Sequence, residues 1–421
     1  MKGEPMTLYA YTHLGKKVFS RIEYPDMTPI SLDSLYRDND PIYYLYQLPP
    51  GKSRGSFSLN HPKEMLIEEE NLHLLQSCSG SFDLPDALAE KMASGQVKGV
   101  NTQYPKWQTH LNAVTPKRWR VNLLALGDVG GTLLLGLKLL GGGLIDHIGV
   151  YDRNPENLLR WEMEMNQVCH PFNHELPPII VKEATDLFDG DLFVFCASKG
   201  VPPVGSDIKD VRMIQFEENA KILSTYAKMA RDNSYTGLFA VVSDPVDHLC
   251  YAAFKSSNLN ASQEWDYQGL FPEQIKGYGL GVMHARAVYH SQKQPHLQHY
   301  QKFGRAFGPH GEGLVIADSI KNYNQSHSLF LTQAAIQSNL AIRELGYKPY
   351  MAPALSSGAI SLIRTMSHQW HYSANFIGGA YMGSNNRQRP SGIQLERLDL
   401  PLPLFARLSE TYEKLRNFNE R

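Results

Sequence analysis

Gly127-Asp-Val-Gly130-Gly131 stands where an apolar run, Arg120 to Leu126, gives way to a helix-forming run, Gly130 to Leu140. Small residues at such a junction let the backbone approach a pyrophosphate. The helix start offers it unpaired N–H groups and partial positive charge. Asp152 lies 22 residues beyond Gly130, at the end of the next apolar run. A carboxylate there can accept hydrogen bonds from both ribose hydroxyls. These residues point to dinucleotide binding. Asp152 argues for NAD, because it would repel a 2'-phosphate, while Arg153 beside it blunts that preference. Two features depart from the full glycine pattern: Ala125 replaces its first glycine, and Asp128 brings a carboxylate toward the phosphates. A tight strand-to-helix turn with nothing bound is the competing reading. The candidate cofactor contacts are Gly127, Asp128, Val129, Gly130, Asp152 and Ala197, the last at the end of a later apolar run.

Other chemistry-bearing groups are weaker signals. Cys169-His170-Pro-Phe-Asn-His174 gathers a thiol and two imidazoles, but no second ligand pair accompanies it. His284, His290, His296 and His299 read as a polar helix and loop. No metal site is expected. The four cysteines, Cys78, Cys169, Cys196 and Cys250, form no CxxC pair and suit a reducing cytosol.

The elements that must position the glycine turn follow a regular alternation. Arg120–Leu126, Ile148–Tyr151, Pro178–Val181, Asp191–Cys196 and Gly237–Val242 read as strands. Helices are expected over 130–140, from Asn154-Pro155-Glu156 onward, and over 216–231. Asn154 is a natural N-cap and Pro155 suits a first helical position. Strands alternating with helices predict an α/β fold, a Rossmann-type doubly wound parallel sheet. The first ~115 residues read as a small β-rich or α+β unit carrying no recognisable chemistry. Residues 1–117 are therefore assigned to an extra N-terminal domain, 118–265 to a nucleotide-binding domain, and 266–421 to a mixed α+β catalytic domain. The 421-residue chain carries 41 Lys plus Arg against 42 Asp plus Glu, a net charge of -1. Nothing in that balance favours nucleic acid or an anionic membrane. The N-terminal segment lacks the apolar core of a signal peptide, and Asp128, Lys138 and Asp146 interrupt the most apolar stretch. A cytoplasmic location is expected.

Further segments occur in a telling order: Val241-Val-Ser-Asp-Pro-Val-Asp247, Gly277-Tyr-Gly-Leu-Gly-Val-Met-His-Ala-Arg286, Gly308-Pro-His-Gly-Glu312, Phe216-Glu-Glu-Asn219 and the C-terminal run Leu404 to Leu415. They resemble the L-lactate/malate dehydrogenase family over about residues 118–418. The resemblance implies NAD-dependent hydride transfer between nicotinamide and a small 2-hydroxy or 2-oxo acid, in a homodimer or homotetramer. It makes His310 the proton donor and acceptor, a role that suits an imidazole titrating near neutrality. It makes Arg286 the clamp on the substrate carboxylate, Arg212 the group polarising the carbonyl, and Lys348 a neighbour of the substrate pocket.

Two positions break the family pattern. The family orients its histidine with an aspartate three residues before the clamp arginine, where this chain has Met283. The asparagine of its N-P-V-D turn is here Asp244. The changes suggest compensation, with Asp244 serving as the carboxylate partner of His310. An ionised Asp244 about 5 Å from a substrate carboxylate would repel it by roughly 3 kcal/mol at an effective dielectric of about 20. That charge must be met by protonated His310, by Lys348, or by an amine on the substrate. The rival reading is a non-catalytic NAD-binding sensor or scaffold descended from such an enzyme.

Overall fold

The computed structural model describes residues 4–37, 40–78, 80, 82–172, 175–199 and 211–419. The chain forms two compact units. One comprises residues 1–115, 377–379 and 386–398; the other comprises 116–376, 380–385 and 399–421.

The first unit is built on short aromatic and β-branched runs that suit a pleated surface. Its strands are β1 (Tyr9–His13), β2 (Lys16–Ser20), β3 (Thr28–Pro29), β4 (Ile42–Tyr46), β5 (Ser56–Leu59) and β6 (Val97–Asn101), with helix α1 (Asp86–Ala93) before β6. They form one mixed sheet in the order β3-β1-β2-β4-β6-β5. Phe19, Tyr44, Tyr46 and Phe57 pack with Leu88 and Met92 on one face, while Tyr11, Tyr43 and Val100 pack on the other. Arg54 and Glu70 form a buried ion pair at 2.9 Å. The C-terminal segment of this unit is stitched in by Ser391, which bonds Ser58 and the Gly95 carbonyl at 2.7 Å each.

In the second unit, runs of Leu, Val and Phe without polar alternation make strands buried on both faces. These are β7 (Trp119–Leu124), β8 (Ile145–Tyr151), β9 (Ile179–Val181), β10 (Leu192–Phe195), β11 (Leu238–Val241) and β12 (Ile275–Gly277). They hydrogen-bond in the order β9-β8-β7-β10-β11-β12, all parallel. Strand β15 (His371–Ile377) adds antiparallel to β12. Between them the antiparallel pair β13 (Arg305–Phe307) and β14 (Val315–Ala317) stands apart as its own small sheet. Helices α2 (Asp128–Leu140), α3 (Pro155–Asn166), α4 (Val211–Asp232) and α5 (Val246–Asn258) connect the parallel strands. Helices α6 (Leu280–Gln292), α7 (Gln325–Glu344), α8 (Ile360–Met366) and α9 (Leu402–Asn419) follow. Alternate residues of β10 show why both faces are covered: Phe193 and Phe195 enter one core with Leu223, Leu249 and Phe254, while Leu192 and Val194 enter another with Leu133, Leu137 and Leu362.

The Rossmann-type doubly wound sheet expected from the alternation is present. Element ends differ by a few residues for identifiable reasons. Strand β7 stops at Leu124 because Ala125 turns into the left-handed region, φ 73°. That is the position of the missing first glycine, and a side chain there costs roughly 1 kcal/mol. Helix α2 then begins at Asp128 rather than Gly130. Gly130 is needed for packing: a Cβ on it would lie 1.9 Å from the Ala125 carbonyl oxygen. No break in contacts falls near residue 265, since β12 continues the parallel sheet.

Replacing Ala125 with Gly should relieve the left-handed strain and raise stability by about 1 kcal/mol. Gly130→Ala should lower it by about 3 kcal/mol or more, because the backbone on both sides must move. Denaturant midpoints of the two variants check both expectations.

Candidate active site

The turns that leave the carboxyl ends of the parallel strands gather on one edge of the sheet, the usual place for ligands in such folds. Two of these turns are tied together by polar groups. Ser243, just beyond β11, donates its hydroxyl to the Ala197 carbonyl beyond β10 at 2.7 Å. Asn219 on α4 is fully buried. It donates to the Asp244 carbonyl at 2.7 Å and accepts the Lys199 N–H at 3.0 Å. Asp244 is thus held at the start of α5, followed by a cis peptide to Pro245.

His310 comes from a different direction, on the loop joining β13 and β14. Glycines at 308, 311 and 313 all have positive φ, at 87°, 128° and 85°, so the chain can turn tightly there. The ring reaches the sheet edge because residue 279 is glycine: a Cβ there would lie 2.8 Å from the His310 Cβ. The Nδ1 of His310 stands 2.8 Å from Asp244 Oδ1. The imidazole side chain is 12% exposed and the carboxylate 45%. With Nδ1 facing Asp244, Nε2 is the ring nitrogen on the side away from that carboxylate.

Arg286 lies on α6 and is half-buried. Its guanidinium donates to the Asn339 side-chain oxygen and lies 3.5 Å from the Ala335 carbonyl oxygen and 3.4 Å from Met283 Sδ. Burial pulls its pKa down and the negative charge of Asp244 pushes it back up, which places the two groups in one electrostatic neighbourhood. Met283 is buried among Leu280, Ala287, Leu331 and Ala335. An ionised carboxylate there would be desolvated, so the change at 283 is matched by apolar packing.

Asp247, one helical turn after Asp244, is 4% exposed. Its carboxylate accepts the backbone N–H of His310. Burial pushes its pKa up to about 7, partly countered by hydrogen bonding and by His310. Sequence reasoning assigned no role to Asp247 or to Asn219, although both lie in the segments carrying the family resemblance.

The cofactor candidates cluster around α2. No side chain caps its N-terminus, so the amides of Asp128, Val129 and Gly130 keep their donors for a ligand. A Cβ on Gly127 would meet nothing within 4 Å, so that side of the turn faces open space. Asp152 accepts the Leu126 N–H at 2.7 Å and the Asn154 N–H at 2.9 Å, which braces the turn and leaves each carboxylate oxygen a further lone pair. These features fit a pyrophosphate and an adjoining ribose. Lys348, expected beside the substrate pocket, is instead paired with Asp128 at 3.0 Å. It therefore offsets the acidic residue of the glycine turn, and the partner of Asp244 is His310. The side chain of Arg212 and the segment 200–210 lie outside the described residues, as does His174.

Of the histidines singled out in the sequence, 284, 290 and 299 are engaged elsewhere. His284 stacks on Tyr372 and contacts the Tyr300 hydroxyl at 3.0 Å, and burial drives its pKa down to about 4. His290 contacts Ser338 at 2.9 Å. His299 faces the buried carboxylate of Asp318 at 3.3 Å. Among the described residues no three His, Cys, Asp or Glu side chains are grouped to hold a metal ion. Among them, too, no helix is long and apolar enough to cross a membrane.

No protein-family model matches the chain. It is 26% identical to an L-lactate dehydrogenase of Corynebacterium jeikeium over 144 residues, which is 34% of this chain and 42% of that protein. It is 25% identical to L-lactate dehydrogenase 1 of Staphylococcus aureus over 167 residues, 40% of this chain and 47% of that one. The matches thus span less than half the length of these relatives. Among solved structures, a lactate dehydrogenase from a Medee basin deep-sea metagenome library superposes with a TM-score of 0.58 at 17% identity, covering 72% of this chain and 98% of that one. The malate dehydrogenase of Aeropyrum pernix gives a TM-score of 0.58 at 15% identity, covering 71% and 97%. These likenesses show a shared fold.

The raised carboxyl of Asp247 makes stability depend on pH. The folded protein keeps this proton up to about pH 7, while an unfolded aspartate releases it near 3.8. Its contribution is therefore present at low pH and is lost as pH rises between those values. Asp247→Asn removes this dependence. Relative to that variant the wild type should lose stability from about pH 4 to about pH 7, by on the order of 4 kcal/mol at most. Urea unfolding of both proteins across that range measures it.

Proposed function

We propose that this chain is a divergent member of the L-lactate/malate dehydrogenase superfamily and an NAD-dependent oxidoreductase acting on a small 2-hydroxy or 2-oxo acid. The observation that carries this reading is the 2.8 Å contact between His310 Nδ1 and Asp244 Oδ1. A carboxylate so placed fixes the tautomer, orients the ring and stabilises the imidazolium form, the three services that the residue at 283 no longer supplies.

Gly127, Asp128, Val129 and Gly130 would hold the pyrophosphate, Asp152 the ribose, and Ala197 would line the neighbouring turn. When bound, NAD accepts or donates the hydride. His310 takes the proton from the substrate hydroxyl at Nε2, or returns it to the carbonyl oxygen, while Asp244 keeps Nδ1–H in place. Arg286 orients the substrate carboxylate with the guanidinium N–H groups left over from Asn339 and Ala335. Arg212 serves as the polarising cation. The repulsion between Asp244 and an acid substrate, roughly 3 kcal/mol at 5 Å, is offset by the imidazolium beside it and by nearby Arg286. Family resemblance favours a homo-oligomer, and its reductive chemistry suits the cytoplasm.

A second reading has its own support. Met283 is sealed into apolar packing and Arg286 is engaged with α7, an arrangement that also suits an NAD-binding sensor without turnover.

The test is to follow nicotinamide absorbance with NADH and a panel of 2-oxo acids, some bearing amines or extended side chains. One of them should be reduced, and His310→Ala should cut kcat by 100-fold or more, in line with the ~10²–10⁴-fold worth of a positioned acid–base group. Asp244→Asn should lower kcat and move the alkaline fall of 2-oxo acid reduction to lower pH, because a neutral partner holds an imidazolium less firmly. NADH binding without oxidation across the panel, and without any strengthening by oxamate, would replace this reading with the sensor.

A further inference from the structure

Arg387 and Arg389 lie in the 386–398 segment of the first unit, and the proposed chemistry makes no use of them. We propose that this pair of arginines is a binding site for a phosphate group, the dianion that balances two guanidinium charges held side by side.

A hairpin fixes the pair. Its strands are β16 (Ala380–Arg389) and β17 (Gly392–Leu395), with Arg387 opposite Gln394 and Arg389 opposite Gly392. Residues two apart on a strand, and residues opposite one another, fall on one face. Both arginines therefore reach the same side chain. Arg387 Nε donates to Gln394 Oε1 at 2.8 Å, and Arg389 Nε donates to that same oxygen at 2.7 Å. Arg389 Nη1 also donates to the Ser94 carbonyl, just beyond α1, at 2.7 Å. Gly95 makes room for this approach. Its φ is 74°, and a Cβ on it would lie 2.7 Å from Arg389 Cζ. Ser391 ties the tip of the hairpin to the Gly95 carbonyl. The Arg389 guanidinium is thus seated against backbone rather than loose on the surface.

The oxygens that gather the pair, an amide and a peptide carbonyl, are neutral. Two like charges this close repel. Arg387 is pulled down by burial and by the cation of Arg389, and Arg389 is pulled down by burial. Two other arginines of the same unit meet carboxylates instead, Arg54 with Glu70 at 2.9 Å and Arg397 with Glu64 at 2.6 Å. Among the described residues no acceptor meets Arg389 Nη2, and neither guanidinium-bearing residue is fully buried, so an incoming anion can reach them.

The charge of the pair selects the class of anion. A phosphate monoester near neutral pH carries close to two negative charges and three strong acceptor oxygens. Two guanidinium groups supply two positive charges and planar forks of N–H donors that match such oxygens. A carboxylate would balance only one of the two.

Calorimetric titration of the full chain with inorganic phosphate, at constant ionic strength, tests the proposal without any turnover. Saturable binding is expected, with acetate weaker by about 10-fold or more. Phenyl phosphate distinguishes the sources: comparable binding marks a phosphate carried on a larger molecule, and its exclusion marks the free ion. Two variants locate the site, because the head of α2 could also take phosphate. Arg387→Gln removes one guanidinium and should weaken binding by about 10-fold or more. Gln394→Glu keeps both arginines and places a carboxylate between them. It should weaken phosphate binding by a similar factor and raise the thermal unfolding midpoint in phosphate-free buffer. Absence of saturable binding to the wild type, or affinity unchanged in the folded variants, overturns the proposal. So does a Gln394→Glu protein less stable than the wild type. Should Arg387→Gln not fold, Gln394→Glu decides alone.

Discussion

The contact between the His310 ring and the Asp244 carboxylate asks two distant stretches of chain to arrive at one point with the right orientation, and much of the second unit serves that end. Asp244 is delivered by a parallel strand and clamped from the side by Asn219 and, through Ser243, by the neighbouring strand turn. His310 is delivered by a glycine-rich hairpin loop that rests on Gly279. Neither residue has freedom to drift, because the backbone behind each is tied by groups that are themselves buried. Preorganisation of this kind lets a single imidazole act as a directed acid–base group.

Charge around that imidazole is distributed differently from the family pattern. The usual carboxylate position on α6 is occupied by a methionine sealed among leucines and alanines. At the start of α5 stand two carboxyl groups, Asp244 half exposed and Asp247 enclosed, of which only Asp244 departs from the motif. Exposure decides what each can do. A solvated carboxylate can stay ionised and hold Nδ1, whereas an enclosed one is easily neutralised and responds to the charge of its neighbour. Arg286, pulled down by its own burial and pushed up by Asp244, completes a set whose charges are mutually dependent.

The glycine turn at the head of α2 shows a similar adjustment. Ala125 accepts a left-handed conformation that glycine would take without strain, and Asp128 carries its own cation in Lys348. That ion pair is exposed and so contributes little to stability. Its consequence is local: it moderates negative charge where the helix N-terminus opens toward solvent.

Much of the architecture was legible in the residues alone. Unbroken apolar runs of strand length, separated by capped helices, can bury themselves only in a parallel sheet covered on both faces, so the order of elements implied the fold. The ordered motifs placed His310, Arg286 and Asp244 in one family frame, and the methionine at 283 made Asp244 the natural carboxylate to look for. Contacts between residues far apart in the chain were decided only by the folded chain. Lys348 reaches Asp128 across 220 positions. Residues 386–398 join the first unit rather than their sequence neighbours. Asp247 is buried at the head of α5, lining the same cleft as His310. Periodicity reports which face of an element is buried, but not which distant group will share that burial. For an ionisable side chain, that partner and the surrounding dielectric set its charge, and these exist only once the chain has folded.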